Sequence, residues 1–232
     1  MTRKSIALVM AATLWACIAL GFGAPQAGNT LEAALARMDE TAAKFKGITA
    51  NIRRLSRTEV VEKEEVEEGT IAAKKIKPKD THILIKMTTP DTKFYFVGGG
   101  KAVVYNPKSM EAQEANLGRS KETVNQLLLL SFGSNSADLK SAYTIKLGAA
   151  ETVNGEKATR LELTPKSADV LKYVKRCDMW ITDKGMAVQQ KFFQPGGDYV
   201  LTTYRNMTMA PNLPDSAVKL DIPHDVKVTK LK

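Results

Sequence analysis

A chain of 232 residues with 34 basic and 25 acidic residues, formal net charge +9, is long enough to bury one sizeable core and is expected to form one domain. Two cysteines and two histidines exclude a disulfide framework and leave few members for a histidine-based triad or a metal cluster.

The first residues, MTRKSIALVMAATLWACIALGFG, set Arg3 and Lys4 ahead of an apolar run that ends in small residues, the layout of a secretory signal. Residues 1–27 are expected to be removed, with cleavage in the zone 24–28 and export to the periplasm. Leu14-Trp15-Ala16-Cys17 has part of a lipid-modification box, but Trp15 is bulky for it and the apolar run continues past Cys17. A soluble product is therefore the expectation, and anchoring through Cys17 the alternative. Ordinary cleavage leaves Cys177 as the last cysteine and removes only Arg3 and Lys4 among charged residues, which leaves 32 basic against 25 acidic, +7. A basic exported chain points to anionic lipid headgroups or an acidic protein partner rather than to nucleic acid.

Asn29 with Glu32 predicts a helix start, and Leu31, Leu35, Met38, Ala42 and Phe45 then recur at spacings of four and three, so an amphipathic helix runs to Gly47. It either packs on a core or covers the open face of a sheet. Ile48 to Ile52, Gly69 to Ile76 and His82 to Met87 alternate as strands do, the last two parted by Pro78. The glutamate-dense run from Glu59 to Gly69 reads as a solvated strand end or loop. Lys74, Lys75, Lys77 and Lys79 read as a wet edge that discourages strand pairing.

The stretch from Thr88 to Pro107 organises the rest. Phe94 and Phe96 alternate with Tyr95 and Val97, three glycines follow, and Val103, Val104 and Tyr105 resume, which predicts a hairpin apolar on both faces. One face needs the fold as its cover, and the other a lid, a partner or a ligand. Met110 to Leu117 reads as a further strand. A helix opening at Ser120 and closing near Gly133 carries Leu127, Leu128, Leu129 and Leu130, apolar all round, and must be enclosed on more than one side.

Ala137 to Ser141 predicts a short helical turn. Strands follow at Tyr143–Leu147, Lys157–Leu163, Tyr173–Thr182, Met186–Phe193, Tyr199–Met207 and Val218–Ile222, at the spacing of an antiparallel meander. No internal repeat, low-complexity tract or linker interrupts them, and beyond residues 1–27 no apolar run is long enough to span a bilayer. His82 and His224 stand apart, and no H-E-x-x-H, C-x-x-C or G-x-S-x-G occurs. The glycines before Lys101 lack the Ser or Thr and the following helix of a phosphate loop, since Ala102 and a strand stand there. The expectation is a binding module, not an enzyme, with no catalytic residue, cofactor or metal.

Several local motifs, in order, resemble those of the periplasmic carriers of outer-membrane lipoproteins, the LolA type, and more distantly their anchored LolB receptor. They are Leu35, Met38 and Phe45 of the first helix, Gly69 leading to Lys77-Pro78, Pro90-Asp91, Gly99-Gly100, and Tyr105-Asn106-Pro107. The leucine run, Leu161-Glu162-Leu163-Thr164-Pro165, Asp183-Lys184-Gly185 and Ile222-Pro223 complete the set. The resemblance runs from Leu31 to Val228 and makes residues 28–232 a single LolA-like domain. It implies an α+β fold, mainly antiparallel β, in which an unclosed half-barrel sheet and a helical lid enclose an apolar cavity for lipoprotein acyl chains. The lining would be Leu35, Met38, Phe45, Ile83, Ile85, Met87, Phe94, Phe96, Leu127, Leu128 and Leu129. The implied partners are an inner-membrane lipoprotein-releasing transporter and an outer-membrane acceptor, and the protein would be a monomer. Such carriers often place an arginine before the proline of the second strand, where this chain has Lys77. As a lid clamp Lys77 lacks the planar guanidinium fork, and Ile83, Ile85 and Gly99 replace aromatics and an aspartate. An anchored acceptor, or a lipid-sensing regulatory domain of the same fold, is the alternative.

Overall fold

The computed structural model describes residues 30–231 except 79, 119–129 and 131. Residues 1–27 with Cys17, Asn29, and Leu127, Leu128 and Leu129 lie outside the described residues.

Leu31–Lys44 forms helix α1. Its cap is Thr30 rather than Asn29: the Thr30 hydroxyl accepts from the Ala33 backbone N at 3.1 Å and so satisfies a donor that a helix start leaves open. The four-three spacing puts Ala34, Leu35 and Met38 on one buried face.

The strands are β1 (Gly47–Thr58), β2 (Lys63–Lys77), β3 (Asp80–Thr89), β4 (Lys93–Gly98), β5 (Lys101–Asn106) and β6 (Glu111–Asn116). Helix α2 (Ser136–Ala142), β7 (Tyr143–Val153) and β8 (Glu156–Pro165) come next. The chain then forms α3 (Ala168–Leu171), β9 (Arg176–Thr182), β10 (Ala187–Phe193), β11 (Tyr199–Met209) and finally β12 (Lys227–Leu231). Among the described residues these twelve strands make one sheet in the order β12-β6-β5-β4-β3-β2-β1-β11-β10-β9-β8-β7. β12 and β7 are its edges and do not pair, so the sheet is unclosed. Every pairing is antiparallel except that of β12 with β6. An α+β fold dominated by antiparallel strands is what the sequence led us to expect.

Three segments depart from expectation. Arg53 to Thr58 pairs residue by residue with Lys63 to Glu68, so most of the glutamate-rich run is ladder rather than loop. Val174 donates to the Val170 carbonyl at 2.9 Å, keeping the chain helical past α3, and the strand expected from Tyr173 starts at Arg176. No strand forms at Val218–Ile222. Asp215–Val218 is a 3₁₀ turn, and the alternating Leu220 and Ile222 bury against other side chains instead of pairing.

The hairpin forms as predicted, β4 and β5 joined by Gly99 and Gly100 at φ of +58° and +78°, a turn that matches the twist of the flanking strands. Its two faces are covered by different parts of the chain. Calling the face under α1 the inner one, the register carries Ile52, Gly69, Met87 and Lys93 across it, and Ile71, Ile85, Tyr95 and Val104 beside them. Phe94, Phe96, Val103 and Tyr105 point the other way and pack with Leu84 under Leu220, Ile222 and Val226. On the far side of β1 the inner face is closed by α1, α2 and Leu130 over Tyr143, Leu161, Leu163, Cys177, Met179 and Ile181.

Candidate functional site

Helix α1 lies on the inner face because three local contacts hold its second half. Asp39 accepts from the backbone N and the hydroxyl of Ser136, each at 2.6 Å, which ties α1 to the start of α2. Thr41 donates to the Lys184 carbonyl at 2.7 Å. Gly185, at φ +74°, lets the β9–β10 turn close on the helix, since a Cβ there would stand 2.1 Å from the Arg37 carbonyl oxygen.

Beneath this helix end lies a small apolar cavity of about 30 Å³, lined by Met38, Ala42, Phe45, Ile48, Phe132, Met179, Met186 and Met209 among others. That is room for about one water. The sequence has seven methionines after residue 27, and four of them meet here. Unbranched thioether side chains refill space by rotamer change, so the walls of this cavity are adaptable. Towards β4 and β5 the inner face continues through Ile83, Met87, Ile85 and Tyr95 to Val104, which is 40% exposed.

Two polar groups interrupt the inner face. Tyr204 donates to the Gln190 side-chain carbonyl at 3.1 Å, and the Gln190 amide donates to the Leu130 carbonyl, so a buried donor and acceptor satisfy each other where Phe132 packs edge-on to Tyr204. At the end nearer the β1–β2 turn, Arg54 donates through Nε to Glu67 at 2.8 Å and through its second terminal nitrogen to Glu67 and to the Tyr95 hydroxyl. Lys93 stands 3.5 Å from the same carboxylate. Burial alone would lower the Arg54 pKa, but the Glu67 hydrogen bond and Tyr95 outweigh it and hold the guanidinium above its ordinary value. Glu67 is only 5% exposed, a carboxylate that belongs inside only because it is paired. Reading the glutamate run as solvated missed it. The available signal was Arg54, which falls on the inward alternation of Ile48, Ala50 and Ile52.

Of the expected lining, Leu35, Met38, Phe45, Ile83, Ile85 and Met87 are on or against the inner face. Phe94 and Phe96 are not: Ile85 pairs with Tyr95 and Leu84 with Phe96, so the two phenylalanines carry the opposite parity and belong to the outer cluster. Lys77 is not placed as a clamp either. It ends β2, its side chain is 71% exposed, and its partner is Asp80 at 3.9 Å. His82 lies on the outer face, edge-on to Phe96, and His224 is exposed. Among the described residues no three His, Cys, Asp or Glu side chains are grouped to hold a metal ion.

No protein-family model and no curated protein matches the chain. Solved structures do resemble it. An uncharacterized conserved protein from Thermus thermophilus is 11% identical over 86% of this chain and 98% of its own, with a TM-score of 0.54. MucB is 11% identical over 82% of this chain, with a TM-score of 0.50, and the chain spans 62% of its length. A LolA superfamily protein from Nitrosomonas europaea is 14% identical over 82% of this chain and 98% of its own, with a TM-score of 0.39. At such identities the likeness to the Thermus thermophilus protein and to MucB is one of fold alone.

Proposed function

We propose that this protein binds the acyl chains of lipid-modified proteins between α1 and the inner face of the sheet and carries them through the periplasm, residues 1–27 serving for export. It would take its cargo from an inner-membrane releasing transporter and give it to an outer-membrane acceptor, without chemistry of its own. The observation that carries this reading is the methionine-lined cavity under α1, on an inner face where Ile85 and Tyr95 are half-buried and Val104 is exposed. As it stands the cavity is too small for an acyl chain, so binding requires α1 to act as a lid and part from the sheet. Each CH₂ taken from water returns about 0.8 kcal/mol, enough over a full chain to offset that opening.

The test is a titration of the protein, purified from cells expressing the full chain, with a fluorescent fatty-acyl probe and a triacylated peptide. Saturable binding of both, each displacing the other, is the expected result. A well-folded sample that binds neither ends the reading. Binding without any transfer to acceptor membranes would instead favour a lipid-sensing regulatory role.

A further inference from the structure

At the C-terminal end of α1 a second apolar pocket of about 330 Å³ opens to the surface, floored by Gly47, Met186, Met209 and Pro211. It shares Thr41, Met186 and Met209 with the cavity under the helix, so the two lie side by side and only these side chains stand between surface and interior. Its rim carries Lys44, Lys46 and Lys184, which come from three places: the last turn of α1, the link to β1, and the β9–β10 turn. All three are exposed, and among the described residues none forms an ion pair. Lys44 alone has a structural reason to be there, since a cation at the last turn of a helix complements its free carbonyls. That does not account for Lys46 or Lys184. The Thr41 to Lys184 hydrogen bond brings the third segment against the helix and closes the ring.

Three like charges round an apolar opening repel one another, and the arrangement becomes favourable when an anion sits among them over an apolar body. We propose that the ligand of this site is an acyl lipid whose head is a phosphate, with its chains under α1 and its phosphate held by Lys44, Lys46 and Lys184. This rests on the acyl-binding reading above and sharpens it, because the acylated end of a lipoprotein carries no such anion. Lysine suits the task as a mobile point charge that needs no fixed fork geometry.

The experiment compares, on the full-chain product, displacement of the fluorescent acyl probe by dioleoyl phosphatidic acid, dioleoylglycerol, oleate and inorganic phosphate. Phosphatidic acid is expected to bind at least about tenfold more tightly than dioleoylglycerol, with a preference that weakens as salt rises. The Lys44→Gln/Lys46→Gln/Lys184→Gln variant should lose that preference while binding dioleoylglycerol as before, and the three Lys→Arg changes should keep it. These are exposed positions, so the variant's unfolding midpoint is expected to match the parent's. Equal binding of the two dioleoyl lipids overturns the phosphate assignment and leaves acyl binding standing. Binding of neither overturns acyl binding itself. Oleate matching phosphatidic acid, or inorganic phosphate binding as tightly as the lipid, also overturns the assignment, in favour of a carboxylate or of a plain anion site.

Discussion

Strands β7 to β10 bury their inner face under α1, and their outer face combines a small apolar cluster of Val153, Ala158, Trp180 and Val188 with ion pairs, Arg160 with Glu162 at 3.3 Å and Arg176 with Asp178 at 2.9 Å. Strands β3 to β6 do the reverse. Their outer face is covered by the segment from Asp215 to Val226, and part of their inner face stays open. A sheet needs at least one dry face to be stable. Because β4 and β5 obtain theirs from outside, their inner side is released from serving as permanent core and is free to take a ligand.

The most forceful way to break this comparison is Phe96→Ala. It should cost about 3–5 kcal/mol in urea unfolding by opening the outer core, while the protein that stays folded keeps its acyl affinity. Weakened binding at unchanged stability would mean that the two faces have been exchanged. Leu163→Ala, in the half closed by α1, should cost about 2–5 kcal/mol, a loss of stability that outweighs any change in affinity. Arg54→Met leaves the buried Glu67 carboxylate with only Lys93, 3.5 Å away, as a charged partner and should cost about 3 kcal/mol, most of it restored in Arg54→Met/Glu67→Met. A double variant as unstable as the single one would show that the loss comes from packing and not from an under-paired carboxylate. Ile85→Ala, on the open inner face, should cost only about 1–2 kcal/mol yet weaken the acyl probe several-fold. Equal stability losses at Leu163 and Ile85, with no change in binding, would erase the distinction between the halves.

The smallest effect concerns pH. Burial pushes the Asp178 carboxyl above the ordinary aspartate range, against the pull of Arg176. The folded state then binds a proton more readily than the unfolded one, so this side chain adds stability below the ordinary aspartate range and loses it as pH rises through the raised value. Asp178→Asn should flatten that part of the stability curve. A wild-type stability that rises across the same window relative to the variant would put the carboxyl below its ordinary value.

Alternation within single strands is legible in the sequence, and it puts Ile83, Ile85 and Met87 on one face. What a strand cannot announce is which of its two faces becomes the inner one. In β4 both faces are aromatic, and the choice between Phe94 with Phe96 and Tyr95 with Val97 is made only by the register with β3. The outer cover was hidden for a related reason: Val218, Leu220 and Ile222 have the period of a strand but make side-chain contacts without a ladder. Glu67 could not be told from its neighbours, because its burial depends on Arg54 thirteen residues away. The lysine rim escaped notice because Lys184 is separated from Lys44 and Lys46 by most of the chain and joins them only when the β9–β10 turn meets α1.

The tether of α1 to Ser136, Lys184 and Gly185 makes the helix a lever. Its fulcrum lies near Asp39 and Thr41, so that about 15 Å of helix extends from Thr41 back to Leu31 and only about 4.5 Å forward to Lys44. With arms in a ratio of roughly three to one, a tilt that swings Leu31 well clear of Leu161 and Leu163 hardly displaces Lys44. On the proposed function the long arm does the travelling and the short arm stays put, so that a hydrocarbon enters at one end of α1 while the cationic ring at the other stays assembled.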